Sequence, residues 1–152
     1  MGSGQTNLYS YVGGDPVNLR DPSGLAPGDK FPAKCGAAID ARDYMSDLKD
    51  VDIYEYGAII YREPDGTYGY SVPVTDWKAD RVKIDGEIPY PADIVGDIHN
   101  HPSINFNDPS AYKFGTKFDV PAYRGLEKQF PGYTGYLITP DSRIRSTRGT
   151  CP

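Results

Sequence analysis

Two histidines, two cysteines, two methionines and one tryptophan are all that the 152-residue chain holds of those four residue types. It has no apolar run near the roughly 20 residues that a membrane-spanning helix needs, so no membrane span is expected. Its start is rich in Gly, Ser, Gln and Asn rather than basic and then apolar, so no secretory signal is expected. Cations are in the minority, 16 Lys and Arg against 21 Asp and Glu, for a net charge of −5. An acidic chain repels a phosphate backbone unless its cations are clustered. The one cluster, Arg143, Arg145 and Arg148, reads as a solvated strand end, and no nucleic-acid partner is expected. Cys35 and Cys151 stand in neither a CxxC nor a metal-ligand spacing. They are compatible with one bridge closing a long loop in an oxidising compartment, and equally with two separate thiols in a reducing one.

Glycine and proline are plentiful. Seventeen Gly and fourteen Pro make up about a fifth of the chain, against roughly 12% in average usage. Thirteen Tyr and five Phe supply the aromatic mass that a disordered Gly/Pro-rich segment lacks. The length suits about one domain, folded and rich in turns.

Along the chain, residues 1–25 stand apart from 26–152. The first stretch carries two Asp-Pro turns, at Asp15-Pro16 and Asp21-Pro22, with little apolar periodicity. Beyond it, Ala37, Ala38, Ala41, Tyr44, Met45 and Leu48 fall on one face of a helix predicted over 37–48. Apolar, aromatic runs at 56–62 and 69–75 flank the turn signal Glu63-Pro-Asp-Gly66 and read as paired strands. A third strand is predicted over 94–101 and a second helix over 120–130, with Pro121 tolerated in its first turn. A second hairpin, 133–139 with 143–145, turns at Pro140-Asp-Ser142. This order predicts an α+β fold with a mixed sheet flanked by helices.

Both histidines lie in Gly96-Asp-Ile-His99-Asn-His101-Pro102. Residues i and i+2 of a strand share a face, so His99 and His101 can offer two imidazoles to one metal ion. A hydrolytic metal needs a third ligand and a general base. Asp119, at the start of the second helix, is the candidate third ligand, with a helix N-cap as its alternative role. Glu55, at the entrance of the first strand, is the candidate base, with a surface charge as its alternative. Neither Glu55 nor His99 is expected in the core. Asp97 shares the histidines' face and is a candidate for orienting them from behind. Ser110 and Asp108, in the segment between His101 and Asp119, are reserve candidates.

Two resemblances follow from these residues. Tyr9, Tyr11, Asp15-Pro-Val-Asn18 and Asp21-Pro-Ser-Gly-Leu25 resemble the closing motif of Rhs-repeat core proteins, whose core forms a shell around a variable C-terminal toxin. That resemblance implies self-cleavage after Leu25 within the motif Asp21, Pro22, Gly24 and Leu25. It also implies a boundary between an Rhs tail over 1–25 and a toxin domain over 26–152. Glu55, then His99, His101 and Pro102, then Thr116 and Asp119 resemble the JAB/JAMM (MPN) metalloproteases, in particular their toxin branch found at Rhs C-termini. Seventeen residues separate His101 from Asp119, longer than the compact spacing in that family. The resemblance implies a JAB/MPN-like sheet and a Zn²⁺ ion on His99, His101 and Asp119. It implies Glu55 as catalytic acid and base, with Thr116 at the position of the oxyanion-stabilising serine. It further implies an effector delivered into the cytoplasm of a target cell to cut a protein substrate there, and a cognate immunity protein. A metal-dependent nuclease toxin and a catalytically degenerate binding module are the competing expectations.

Overall fold

The computed structural model describes residues 26–116, 119–149 and 151. The motif Asp21, Pro22, Gly24 and Leu25, with the rest of 1–25, lies outside the described residues. Helix α1 spans Lys34–Met45 and helix α2 spans Asp119–Gln129. The strands are β1 (Tyr56–Arg62), β2 (Tyr68–Tyr70), β3 (Val74–Thr75), β4 (Asp93–Asn100), β5 (Thr134–Ile138) and β6 (Ile144–Ser146). They form one six-stranded mixed sheet in the order β2-β1-β4-β5-β6, with β3 paired to β1. All pairings are antiparallel except β4 with β5, which α2 connects as a parallel crossover.

The sheet has one face for the core and one for the site. In the register of the central strands, Ala58, Ile98 and Tyr136 are neighbours across β1, β4 and β5. They pack with Ile60, Ile138 and Tyr70 against Ala37, Ala38, Ala41 and Met45 of α1. Three alanines on the contact face let the helix axis lie close to the sheet. Buried Asp40 sits within this contact and is satisfied by the Tyr70 hydroxyl at 2.6 Å. On the opposite face the same register lines up Gly57 with His99 and Ile59 with Asp97. That face is covered by residues 82–84 and by α2, none of whose residues is buried.

Differences from the sequence reading are local. The first helix begins and ends three residues earlier than predicted, although its predicted face is the one that meets the core. After Met45 the chain leaves the helix through turns, and Leu48 reaches the core from outside it. The predicted strand over 69–75 is two strands, because Pro73 has no N–H for the ladder and Ser71 departs from strand pairing. The Ser71 Oγ accepts from the Ile59 N–H at 2.8 Å while its own N–H donates to the Ile59 carbonyl. The predicted turns at Glu63–Gly66 and Pro140–Ser142 both form, with Gly66 at φ 88° and Ser142 at φ 66°.

Cys35 and Cys151 are joined in a disulfide, with 5.5 Å between their Cα atoms and a sequence separation of 116. The bond ties the chain's last described residue to the first turn of α1. A loop of that length carries a closure entropy of about 4–5 kcal/mol in the unfolded chain. Cys35→Ser with Cys151→Ser is expected to cost about 2–4 kcal/mol of stability, read as a lower denaturant midpoint. Adding a reductant to that variant is expected to change nothing further.

Candidate metal centre

Strand β4 is hydrogen-bonded on both edges, and its alternation sends Asp97 and His99 to the site face while Ile98 enters the core. His101 follows the strand end, held by its N–H to the Ile138 carbonyl at 2.9 Å. The two imidazole rings lie 5.3 Å apart. From α2, the Asp119 Oδ2 stands 3.3 Å from His99 Nε2 and 3.5 Å from His101 Nε2. The same oxygen accepts the Gly115 N–H at 2.8 Å. One donor atom from each of His99, His101 and Asp119 lies within 4.8 Å of the other two, so the group could hold a metal ion.

The donors fit such an ion in a further respect. The His99 Nε2 is buried and has no hydrogen-bond partner, its approach to Asp119 being a charge contact without hydrogen-bond direction. An unsatisfied buried nitrogen is costly, and coordination to a cation removes that cost. The His101 Nδ1 lies 2.8 Å from the Ala111 carbonyl, which can only accept, so Nδ1 carries a proton, and in the neutral ring Nε2 is the nitrogen left with a lone pair. The two short 3-10 helices Ser103–Asn105 and Pro109–Tyr112 thus bring the long segment between His101 and Asp119 back onto the site.

Glu55 reaches the same place from the position just before β1. Its Oε2 is 4.0 Å from His101 Nε2. Its backbone is clamped by its N–H to the Lys78 carbonyl at 2.8 Å and by the Thr75 hydroxyl on its own carbonyl at 2.7 Å. Asn100, the residue between the histidines, accepts the Tyr56 N–H at 2.6 Å and donates to the Val51 and Tyr54 carbonyls. It ties the end of β4 to the loop that delivers Glu55.

Behind His99, Asp97 stands in a network with two tyrosines that the sequence reading did not contain. The Tyr123 hydroxyl donates to Asp97 Oδ1 at 2.6 Å and lies 3.3 Å from His99 Nδ1. The Tyr133 hydroxyl donates to Asp97 Oδ2 at 2.5 Å. Tyr123 stands four residues after Asp119, so helical spacing puts both on one side of α2, and that spacing was the available signal.

Burial and charge act in opposite directions here. Burial raises the Glu55 carboxyl from its ordinary 4.5 to about 7, against the pull of both imidazoles. Burial also pushes Asp119 upward, but its contacts with His101 and His99 prevail and hold it well below the usual carboxylate range. Burial lowers His99, yet Asp119, Glu55 and Asp97 outweigh it and leave the imidazole above its ordinary value. A groove of about 320 Å³ opens beside these groups, walled mainly by apolar side chains such as Ile59, Val82, Ile84 and Leu126.

Of the residues singled out in the sequence, Glu55, His99, His101 and Asp119 converge, and Asp97 contacts His99 through Tyr123. Glu55 and His99 are buried, 4% and 3% exposed, yet they lie outside the apolar core on the α1 face. The reason is that residues 82–84 and α2 roof the second face of the sheet. Thr116 is exposed in the turn before α2. Asp108 and Ser110 are exposed and bonded to each other, the carboxylate accepting the Ser110 N–H and hydroxyl, and they do not join the group. Arg148 pairs with Glu127 and Arg143 with Asp141, consistent with a solvated strand end. Among the described residues no helix is long and apolar enough to cross a membrane. No protein-family model, curated protein or solved structure matches the chain.

The Glu55 shift has a consequence for stability in the metal-free chain. A folded pKa raised to about 7 means that the folded state binds more protons than the unfolded state between 4.5 and 7. Stability therefore falls as pH rises through that window, and the penalty stands in full above it. Glu55→Gln is expected to stabilise the chelator-treated protein by about 1–3 kcal/mol near pH 8 and by almost nothing near pH 4, read from thermal denaturation.

Proposed function

We propose that the chain is a zinc-dependent peptidase or isopeptidase of the JAB/JAMM type, deployed as the C-terminal toxin of an Rhs protein. The observation that carries the reading is the convergence of buried Glu55 on the His99, His101 and Asp119 group, with the His99 Nε2 left without a hydrogen bond. Two imidazoles and a carboxylate leave a fourth position open, as hydrolytic zinc requires. The same donor set also suits ferrous iron. A buried carboxyl with a pKa of about 7 beside it favours hydrolysis, because that chemistry needs a group able to take and return a proton near neutral pH.

When bound, the ion supplies Lewis acidity toward the scissile carbonyl and toward the attacking water. Glu55 takes a proton from that water as the C–O bond forms and delivers it to the leaving nitrogen as the C–N bond breaks. Its clamped backbone keeps the carboxylate aimed at the histidines. Residues 82–84 and α2 exclude bulk water from the sheet face, which strengthens charge interactions there. Thr116 takes the oxyanion role by position in the motif.

The Rhs part of the reading rests on the motif ending at Leu25, where self-cleavage would free residues 26–152. The disulfide between Cys35 and Cys151 suits passage through an oxidising compartment on the way to a target cell. The acidic net charge and the apolar walls of the groove favour a protein substrate over nucleic acid. A cognate immunity protein covering the groove is the partner this function requires.

The test is metal content with toxicity. Elemental analysis of protein purified without chelator is expected to give one zinc per chain. Glu55→Gln is expected to keep that zinc and to lose about 100- to 10,000-fold in peptide or isopeptide cleavage, and with it toxicity in a producing cell. Full toxicity in Glu55→Gln, or cleavage of nucleic acid by the wild type, would overturn the reading.

A further inference from the structure

We infer that Tyr123, held by Asp97, is a positioning residue that fixes the proton of His99 on Nδ1 and so leaves Nε2 as a bare lone pair toward Asp119 and His101. Asp97 is buried, and a carboxylate can only accept. The Tyr123 and Tyr133 hydroxyls have one proton each, and both are directed at Asp97, at 2.6 and 2.5 Å. The Tyr123 oxygen therefore meets His99 Nδ1, 3.3 Å away, with lone pairs only. A neutral His99 satisfies that contact only with its hydrogen on Nδ1, which agrees with an Nε2 that has no hydrogen-bond partner.

The sheet is built around this arrangement. Gly135 of β5 lies under the Tyr123 ring, and a Cβ there would stand 2.4 Å from ring carbons. Only a residue without a side chain lets the ring lie this close to the strand and bring its hydroxyl between Asp97 and His99. His101 reaches the same tautomer by another route, through the backbone carbonyl of Ala111. One imidazole is thus set by the main chain, which substitution of side chains leaves in place, and the other by two side chains.

The inference rests on the proposed metal reading for its consequence, but the tautomer is a property of the metal-free chain and is measured there. The experiment is two-bond ¹H–¹⁵N correlation of the imidazole nitrogens in chelator-treated full-length protein, above the titration of both histidines, with zinc affinity measured by calorimetry. In the wild type, His99 and His101 are both expected as the Nδ1–H form. In Tyr123→Phe, which leaves Nδ1 without an acceptor, His99 is expected to move to the Nε2–H form, while His101 stays as it was. Zinc affinity is expected to fall about 10- to 100-fold in that variant. Tyr133→Phe removes a hydroxyl from the same carboxylate without facing His99, and is expected to keep the Nδ1–H form.

An Nε2–H form of His99 in the wild type would overturn the inference. So would an unchanged tautomer in Tyr123→Phe, or an equal shift in Tyr133→Phe. Should Tyr123→Phe fail to fold, the wild-type spectrum decides alone. A wild type with the Nδ1–H form that takes up no zinc would overturn the metal reading and leave this inference standing. The Nε2–H form in a chain that binds zinc would do the reverse.

Discussion

The hydrogen bonding of β4 on both edges is the constraint from which the rest of the molecule follows. A strand paired to β1 on one side and β5 on the other cannot rotate, so each of its side chains has one of two directions. Ile98 goes to the α1 face and joins the alanines of that helix; Asp97 and His99 go to the opposite face. A shift of one residue would exchange them, exposing Ile98 and driving an imidazole and a carboxylate into the apolar core. The core and the candidate metal centre are therefore held in register by the same ladder.

The second face is a poor place for ionisable groups, and in the proposed reaction that is its use. Glu55, His99 and Asp97 are buried beneath residues 82–84 and α2, where each charge is enhanced by the loss of water. The carboxyl groups respond differently because their neighbours differ. Asp119 lies against two imidazoles and stays ionised, whereas Glu55 stands farther from them and is raised to about 7. Two carboxyl groups with separated titrations suit the tasks of ligand and proton carrier that the proposed function gives them. Burial of these groups costs stability, which the core on the α1 face and the disulfide to Cys151 offset.

Glycine matters at the two places where the site face is crowded. At Gly57 a Cβ would lie 2.5 Å from Ile84, and at Gly135 it would meet the Tyr123 ring. The first glycine lets the covering segment descend onto the strand beside His99. The second seats the tyrosine that touches His99 from behind. Part of the glycine excess in the composition thus serves close approach, beyond its use in turns.

Periodicity and local chemistry made much legible from the sequence alone. The apolar face of α1, the turn at Glu63–Gly66, the last hairpin and the pairing of His99 with His101 all depend on residues close in the chain, so local rules reach them. Glu55 and Asp119 were legible as candidates through spacing and resemblance, although 63 residues lie between them. Their meeting is a product of sheet order and of the helix that crosses from β4 to β5. The break at Pro73 follows from its missing N–H and was open to the same local rules, whereas the enclosure of Glu55, the disulfide and the Tyr123–Asp97–Tyr133 network were decided only by the tertiary structure. Each depends on which segment lies over which strand, and that is set by long-range packing. By itself the sequence determined the elements and the candidate ligands; the tertiary structure decided which buried groups share a hydrogen bond, because that depends on which segments pack together.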